Sequence, residues 1–193
     1  MSWANVSTNT TTYTNSSPST ILDQQQDESG TTWFLGDNIT YKVAQTFQPS
    51  VPTRLTSFAF YVFKQGSPTD ALQLQIYTDG STQPGTFLAT SETLVAGGSL
   101  TTSSQLQTFT FNNGPTLTTD TTYWAILSRT GSQDGTNYYK IEARLSSTNN
   151  KYTRGKIFDT NNLTWTNYDD ATHFYDLRFY EYYASPWSNI NKN

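Results

Sequence analysis

The chain has 193 residues and a mass of 21.7 kDa, which is enough for one hydrophobic core with appendages but too short for two full domains. Aromatic residues make up 15% and charged residues only 13%, the reverse of a disordered composition, so a folded domain is expected. The net charge of -4 offers no basic field for phosphates, which argues against a nucleic-acid partner. The absence of cysteine excludes disulfides and thiolate metal sites.

Residues 1–36 are dominated by Thr, Ser, Asn and Gln, and their apolar residues are isolated. Such a segment has little to bury, so the sequence predicts an extended N-terminal arm. The first ten residues contain neither a basic start nor an apolar run, and no later stretch is long and apolar enough to span a membrane. We therefore expect no secretory signal and no membrane span.

From residue 37 to residue 183, short runs that alternate apolar and polar residues are separated by Gly, Pro, Asn and Asp turns. Strands are predicted near residues 41–47, 58–63, 72–77, 87–95, 105–111, 122–129, 138–145, 155–158 and 174–183. No segment predicts a helix. Antiparallel strands of this number and length predict an all-β domain of two packed sheets, a jelly-roll-like β-sandwich, followed by a short C-terminal tail over residues 184–193.

Two of these strands carry informative patterns. Alternation over residues 138–145 predicts one buried and one solvated face. The predicted buried residues are Tyr139, Ile141, Ala143 and Leu145, and the predicted solvated ones are Tyr138, Lys140, Glu142 and Arg144. By contrast, the run from Phe58 to Phe63 is apolar on both sides. It indicates either a central strand covered on both faces or one whose second face meets another protein.

The two ends of the chain share one pattern: Trp, a small residue, Asn, a β-branched residue, two polar residues and Asn. The matching residues are Trp3, Asn5 and Val6 at one end and Trp187, Asn189 and Ile190 at the other. We predict that they form assembly contacts, each end adding a strand to a neighbour's sheet edge while its Trp fills a pocket. The alternatives are a chance match in a biased composition and an arm that folds back over its own sandwich.

Several motifs resemble those of the choice-of-anchor R domain over about residues 40 to 183. They are Ala44-Gln-Thr-Phe47, Leu55-Thr-Ser-Phe58, Leu74-Gln-Ile-Tyr77, Gln83-Pro-Gly85, Thr122-Tyr-Trp124 and Asp176-Leu-Arg-Phe179. The resemblance implies a β-sandwich module of microbial surface and phage-associated proteins, without catalytic residues. The ends, together with Tyr13-Thr-Asn15 and Trp165-Thr-Asn167, are similar to Trp/Thr/Asn repeats of phage structural proteins.

Catalytic chemistry has little support in the sequence. The only possible base for a Ser-His-Asp mechanism is His173, and no Gly-x-Ser-x-Gly turn is present. Carboxylates that a glycoside hydrolase would need occur at Asp159, Asp169, Asp170, Asp176 and Glu181, but any Asp-rich loop would supply them. Loop carboxylates at Asp79, Asp134 or Asp169 and Asp170 could contribute to a structural calcium site. The sequence has no EF-hand spacing, so whether calcium binds stays open. We predict no enzyme, no cofactor and no metal.

Sugar binding has a more specific candidate in residues 161–170. Glycans stack on flat aromatic faces and form hydrogen bonds with neighbouring amides and carboxylates. The predicted glycan-binding residues are Trp165, Asn167, Tyr168, Asp169 and Asp170. The alternative is that Trp165 is a core aromatic residue beneath a hairpin.

These observations predict a non-enzymatic phage virion protein, such as a decoration, fibre or tail-associated subunit. It would form a homo-oligomer or join a larger assembly of virion or surface structural proteins, with glycans as a further ligand, and would be located in the virion. The alternative is an extracellular or cell-surface carbohydrate-binding module of a microbe. A third class, a small glycan-cleaving enzyme, rests only on the clustered Asp residues.

Overall fold

The computed structural model describes residues 20–52, 54–147, 152–170 and 172–185. Within these residues the chain forms fourteen β-strands and a single 3-10 turn at Gly97–Ser99. The strands are β1 (Thr20–Gln26), β2 (Thr31–Leu35), β3 (Lys42–Phe47), β4 (Leu55–Gln65), β5 (Ala71–Asp79), β6 (Pro84–Thr90), β7 (Val95–Ala96), β8 (Gln105–Thr110), β9 (Tyr123–Arg129), β10 (Tyr138–Ser146), β11 (Ile157–Thr160), β12 (Trp165–Asn167), β13 (Phe174–Leu177) and β14 (Phe179–Ala184).

The strands form two antiparallel sheets. Sheet A has the order β1-β14-β4-β10-β13, with β2 also paired to β10 and β8 to β4. Sheet B has the order β12-β11-β3-β9-β5-β6, with β7 paired to β5. From β7 to β11, successive strands alternate between the sheets, so the chain repeatedly crosses the sandwich. The predicted fold class, an all-β antiparallel two-sheet sandwich, is confirmed.

Aromatic rings join the two sheets in the core. Phe47 of sheet B contacts Phe58 of sheet A with ring centroids 5.1 Å apart, and Phe58 stacks on Phe60 at 5.1 Å. Phe179 stacks on Phe58 at 5.2 Å from the neighbouring strand. All four rings are fully buried. Offset and edge contacts of this kind add to the stability gained by burying the apolar area.

A buried ion pair ties the sheets together at one end. Arg129 of β9 donates two hydrogen bonds to the Asp70 carboxylate, at 2.7 and 2.9 Å, and the Tyr139 hydroxyl of β10 donates to the Asp70 carbonyl at 2.9 Å. Arg129 also donates to the Gly36 carbonyl at 2.8 Å. Gly36 has φ +77°, and a Cβ there would lie 2.2 Å from the Arg129 side chain, so this position requires glycine.

Two acidic side chains lie inside the sandwich. Gln45 of sheet B donates to Asp176 of sheet A at 3.0 Å and accepts a bond from the Leu177 backbone N–H at 2.7 Å. Burial raises the pKa of Asp176 to about 8, although the Gln45 bond opposes this. Burial also raises the pKa of Glu181 well above its usual value, and Tyr183 donates to its carboxylate at 2.5 Å. The core therefore contains two carboxyl groups that favour the protonated form.

The structure corrects the predicted N-terminal boundary. Residues 20–35 were assigned to the arm, but they form β1 and β2 of sheet A, and Gln26 and Leu35 are buried. Polar strands can join a sandwich because one face buries amides that find partners, as Gln26 does by donating to the Glu28 carbonyl at 2.9 Å. Residues 1–19 of the arm and residues 186–193 of the tail lie outside the described residues.

The predicted alternation in β10 holds only for its first part. Tyr139, Ile141 and Ala143 are fully buried as predicted, but Leu145 is 44% exposed and Arg144 is buried. The pattern breaks where the partner of β10 changes from β4, which pairs as far as Ile141, to β13, which pairs from Ala143. Buried Arg144 forms an ion pair with Glu28 at 2.7 Å.

Candidate functional site

The β11–β12 hairpin determines which way the predicted glycan-binding residues face. Thr160 pairs with Trp165 and Phe158 with Asn167, so Trp165 and Asn167 lie on the same face as Phe158. Phe158 belongs to a cluster separate from the core between the sheets, on the outer face of sheet B. Trp165 and Asn167 are therefore presented on the outer face, in a short strand that is not among those predicted from the sequence.

This separate cluster, here called the outer cluster, consists of Ala44, Trp124, Ile126 and Phe158. Ala44 is small enough for Trp124 and Phe158, from strands on either side of it, to meet with ring centroids 4.3 Å apart. The Trp124 indole N–H donates to Asp79 at 2.7 Å, which satisfies its polar atom. The outer cluster thus forms a small second core outside the sandwich.

Trp165 packs on this cluster without being enclosed by it. Its ring meets Trp124 at 5.4 Å with an interplanar angle of 75°, and Trp165 remains half-buried. Trp165 is therefore neither a fully buried core residue nor a fully exposed one, since part of it packs on the outer cluster and part faces solvent. A ring fixed from below is suited to stacking on a ligand, because it loses little freedom on binding.

A polar cleft of about 230 Å³ lies on the same outer face. It is lined by hydroxyl, amide and charged residues: Thr46, Gln48, Thr122, Thr153, Arg154, Gly155, Lys156 and Asp169. Thr46 pairs with Trp124 across β3 and β9, so the cleft begins beside the outer cluster. Gln48 donates to the Thr122 hydroxyl at 3.0 Å, which leaves the hydroxyl proton of Thr122 free to be donated.

The charged residues of the cleft are held in different ways. Arg154 donates to the Gln48 and Pro49 carbonyls at 2.9 Å each and pairs with Asp120 at 2.6 Å. Thr46 holds the backbone of Lys156, accepting its N–H at 2.9 Å. None of the ion pairs among the described residues involves the Lys156 ammonium group.

Asp169 closes the cleft on the β12 side. It accepts the backbone N–H of Tyr175 at 2.8 Å. Partial burial raises its pKa, while the Tyr175 hydrogen bond and the charge of Lys156 act in the opposite direction.

The other two predicted glycan-binding residues lie elsewhere. Tyr168 contacts the Trp33 ring at 4.6 Å and donates to Asp159 at 3.0 Å, and Trp33 donates to the same carboxylate at 2.9 Å. Asp170 accepts the backbone N–H groups of Thr172 and His173, and these bonds lower its pKa. The structure thus places Trp165 and Asn167 on the outer face. Asp169 lines the polar cleft while bonding the Tyr175 backbone of sheet A, and Tyr168 and Asp170 make supporting contacts.

A second candidate surface is the outer face of sheet A, here called the aromatic face. Its members are half-buried or exposed side chains: Phe34, Tyr61, Phe63, Leu106, Tyr138 and Tyr180. The Arg178 guanidinium lies 3.7 Å from the Tyr61 ring centroid, and Tyr180 lies 6.2 Å from Tyr61. Lys140 lies 5.7 Å from Phe34 and 5.8 Å from Phe63.

The predicted assembly residues Trp3, Asn5, Val6, Trp187, Asn189 and Ile190 lie outside the described residues. The strands that lead to them are described. Thr20 of β1 pairs with Ala184 of β14, so the two end segments join sheet A at neighbouring points.

The carboxylates considered for catalysis have separate surroundings. Asp176 and Glu181 lie in the core, whereas Asp159 is bonded to Trp33 and Tyr168. His173 is partly exposed and forms an ion pair with Asp170 at 3.1 Å when protonated. Across residues 20–52, 54–147, 152–170 and 172–185, no three His, Cys, Asp or Glu residues converge as metal ligands.

The sequence analysis missed Lys156, Arg154, Thr46 and Trp124 as site residues. The only signal for Lys156 was alternation around β11, where Lys156 and Phe158 share a face. Within the part of the chain that the structure describes, no helix has the length and apolar character needed to cross a membrane. Comparison with protein-family models, curated proteins and solved structures gives no match for this chain, so the family resemblance stays a prediction.

Proposed function

We propose that the protein is a non-catalytic structural subunit of a virion, such as a decoration, fibre or tail-associated protein, and acts through protein–protein contacts. The aromatic face is the observation that carries this proposal. Phe34 and Leu106 are 42% and 44% exposed, and Tyr61 and Phe63 are only half-buried. Aromatic residues with an interleaved arginine are the composition of interface centres.

The contacts within the aromatic face favour binding. Tyr61 is held between Arg178 and Tyr180, and Arg178 is itself paired with Glu142 at 2.8 Å and Asp27 at 2.7 Å. Side chains that are already ordered lose little entropy when a partner covers them. The apolar second side of β4 is then explained by a partner protein, which was one of the two interpretations of the run from Phe58 to Phe63.

The arrangement of the ends also supports an assembly role. Thr20 and Ala184 are paired, so the first and last strands of the described chain lie side by side in sheet A. Two similar Trp-x-Asn segments could then engage neighbouring subunits from a single position. Strand addition would supply backbone hydrogen bonds, and the Trp side chains would supply pocket contacts.

A direct test combines composition analysis and variants. Mass spectrometry of particles purified from the producing culture should detect the protein, whereas its presence only in the medium would contradict the proposal. The double variant Phe34→Ser and Leu106→Ser should remain folded but lose incorporation into particles. Leu163→Ser is the matched control, because Leu163 is 86% exposed on the β11–β12 loop, away from the aromatic face.

The outer face of sheet B favours a second candidate function, saccharide binding by an extracellular or surface module. Its supporting observation is the alignment of Trp165, Asn167 and the polar cleft on one face. On a glycan array, Trp165→Ala should abolish binding. Phe87→Ala should preserve it, because Phe87 lies on β6, at the opposite edge of sheet B from β12. An array without any Trp165-dependent ligand would contradict this second function.

A further inference from the structure

Lys156 differs from the other basic groups of the polar cleft. Arg154 already directs its Nε and one terminal nitrogen to Gln48, Pro49 and Asp120. Lys156 is fixed through its backbone by Thr46, but no ion pair among the described residues uses its ammonium group. Burial raises the pKa of Asp169 in the same cleft, and the Lys156 charge acts in the opposite direction. Because the ammonium forms no ion pair among the described residues, we treat it as a cation that an anionic ligand can reach.

The residues of β12 lead from the aromatic ring to this cation. Trp165 and Asn167 lie on one face of the strand, and Asp169, two residues further on, lines the cleft together with Lys156. At roughly 3.3 Å per residue, the backbone from residue 165 to residue 169 covers about 13 Å. This length exceeds a single sugar ring. The row formed by Trp165, Asn167, Asp169 and Lys156, here called the track, therefore suits a saccharide of at least two units.

We propose that this track binds an acidic saccharide, with Lys156 pairing with a sugar carboxylate in the polar cleft while Trp165 stacks on a neighbouring sugar. The inference rests on the second candidate function, saccharide binding. The Asn167 amide would donate hydrogen bonds to sugar hydroxyls and accept hydrogen bonds from them. The Asp169 carboxylate would accept hydrogen bonds from sugar hydroxyls, and the Thr122 hydroxyl would donate one. Each polar group of the track then has a complementary group on a uronic-acid oligomer.

The sugar carboxylate matters because a neutral sugar would leave the Lys156 ammonium without an anionic partner. A neutral ligand that fills the cleft would displace water from the Lys156 ammonium without supplying an anion. Charge-assisted hydrogen bonds are about twice as strong as neutral ones, so the acidic ligand should bind about tenfold or more tightly. Because the ammonium is partly exposed, this preference should shrink as salt is added.

The test uses isothermal titration calorimetry on the full chain. The probes are oligogalacturonate, oligomannuronate and hyaluronan fragments, each compared with the same oligomer after reduction of its carboxyl groups. We expect at least one acidic oligomer to bind about tenfold more tightly than its reduced form. Lys156→Gln should remove this difference, and Lys42→Gln, the matched control on the same outer face, should retain it.

The outcomes distinguish a failure of the carboxylate inference from a failure of saccharide binding itself. If acidic and reduced oligomers bind equally, and Trp165→Ala abolishes both, the carboxylate inference is wrong and saccharide binding stands. If the preference is present but survives in Lys156→Gln, the assignment to Lys156 is wrong. If none of the oligomers binds, the inference is overturned, and the glycan array then decides whether any saccharide is a ligand.

Discussion

The two outer faces of the sandwich use aromatic residues in opposite ways. On sheet B, Trp124 and Phe158 meet over Ala44 and are almost completely buried, so they stabilise the fold. On sheet A, Tyr61 and Phe63 remain half-buried among charged side chains. On sheet B, the small Ala44 lets the two rings close over it. On sheet A, Arg178 and Lys140 lie against rings that stay half-buried or exposed.

From this comparison we predict that exposed area, rather than aromatic content, identifies a binding surface. Sheet B presents the exposed part of Trp165 together with a polar cleft, which suits a small polar ligand. Sheet A offers a broad surface with aromatic rings and an arginine, which suits a protein. The following predictions test this distinction, beginning with the core that both faces share.

The largest expected effect comes from the buried acid between the two faces. Asp176 has a pKa of about 8 when folded and near 3.8 when unfolded, so the folded state holds a proton that the unfolded state releases. This proton contributes on the order of 5 kcal/mol to the free energy of unfolding. The contribution is fully present below about pH 4 and is lost as the pH rises to about 8. Asp176→Asn should flatten this part of the pH profile in urea denaturation.

Glu181 acts in the same direction, because burial raises its pKa as well. Some decline with pH should therefore persist in Asp176→Asn and disappear when Glu181→Gln is added. A stability profile that is flat between pH 4 and 8 in the unaltered protein would show that both carboxyls find compensating partners in solution.

Trp124→Ala should have the next largest effect on stability, because it removes the largest side chain of the outer cluster. Trp124 is fully buried, and truncating such a residue costs about 3–5 kcal/mol of the free energy of unfolding. Phe87→Ala on the same sheet is the control, since Phe87 is 50% exposed and should cost far less. Equal losses in chemical denaturation would mean that the outer cluster is not a second core.

Arg178→Met should weaken the aromatic face more moderately. The change removes ion pairs to Asp27 and Glu142 and the contact with Tyr61, for a cost of about 1–3 kcal/mol. The loss should decrease at high salt because these groups are partly exposed. Lys140→Met should show a smaller, less salt-sensitive loss, since Lys140 contacts rings and the neutral Gln65.

Trp165→Ala should have the smallest effect on stability. The ring is half-buried on Trp124, so its removal should cost about 1–2 kcal/mol of unfolding free energy. Its effect on saccharide binding should be much larger than its effect on stability. A loss as large as that of Trp124→Ala would identify Trp165 as a core residue and argue against a binding role.

Much of the fold could be predicted because strands have a local signature. Alternation located β3, β5, β9 and the first part of β10, since each has one face toward a continuous core. β1 was missed because its buried positions, Gln24 and Gln26, are polar and composition alone marks them as exposed. β2 was missed because its five residues bury only Leu35 completely and its sequence gives no clear alternation. β12 was missed because a strand of three residues is too short to display a period.

The candidate sites were predictable only in part. Trp165, Asn167 and Asp169 were recognised from their chemistry, but Tyr168 and Asp170 were grouped with them because they are neighbours in sequence. Strand pairing turned Tyr168 toward Trp33, and a local turn engaged Asp170. Lys156 was not singled out, because its place in the polar cleft depends on its contact with Thr46, which is 110 positions away in the chain.

Composition and short-range periodicity were sufficient to determine an all-β sandwich, since burial of alternate residues is a local requirement. Tertiary structure alone decided which aromatic residues are enclosed and which remain exposed. That outcome depends on neighbours across strands: Ala44 lets Trp124 and Phe158 close over it, whereas Lys140 and Arg178 lie against the rings of the opposite face. Cross-strand neighbours are set by register, and register is a property of the whole sheet.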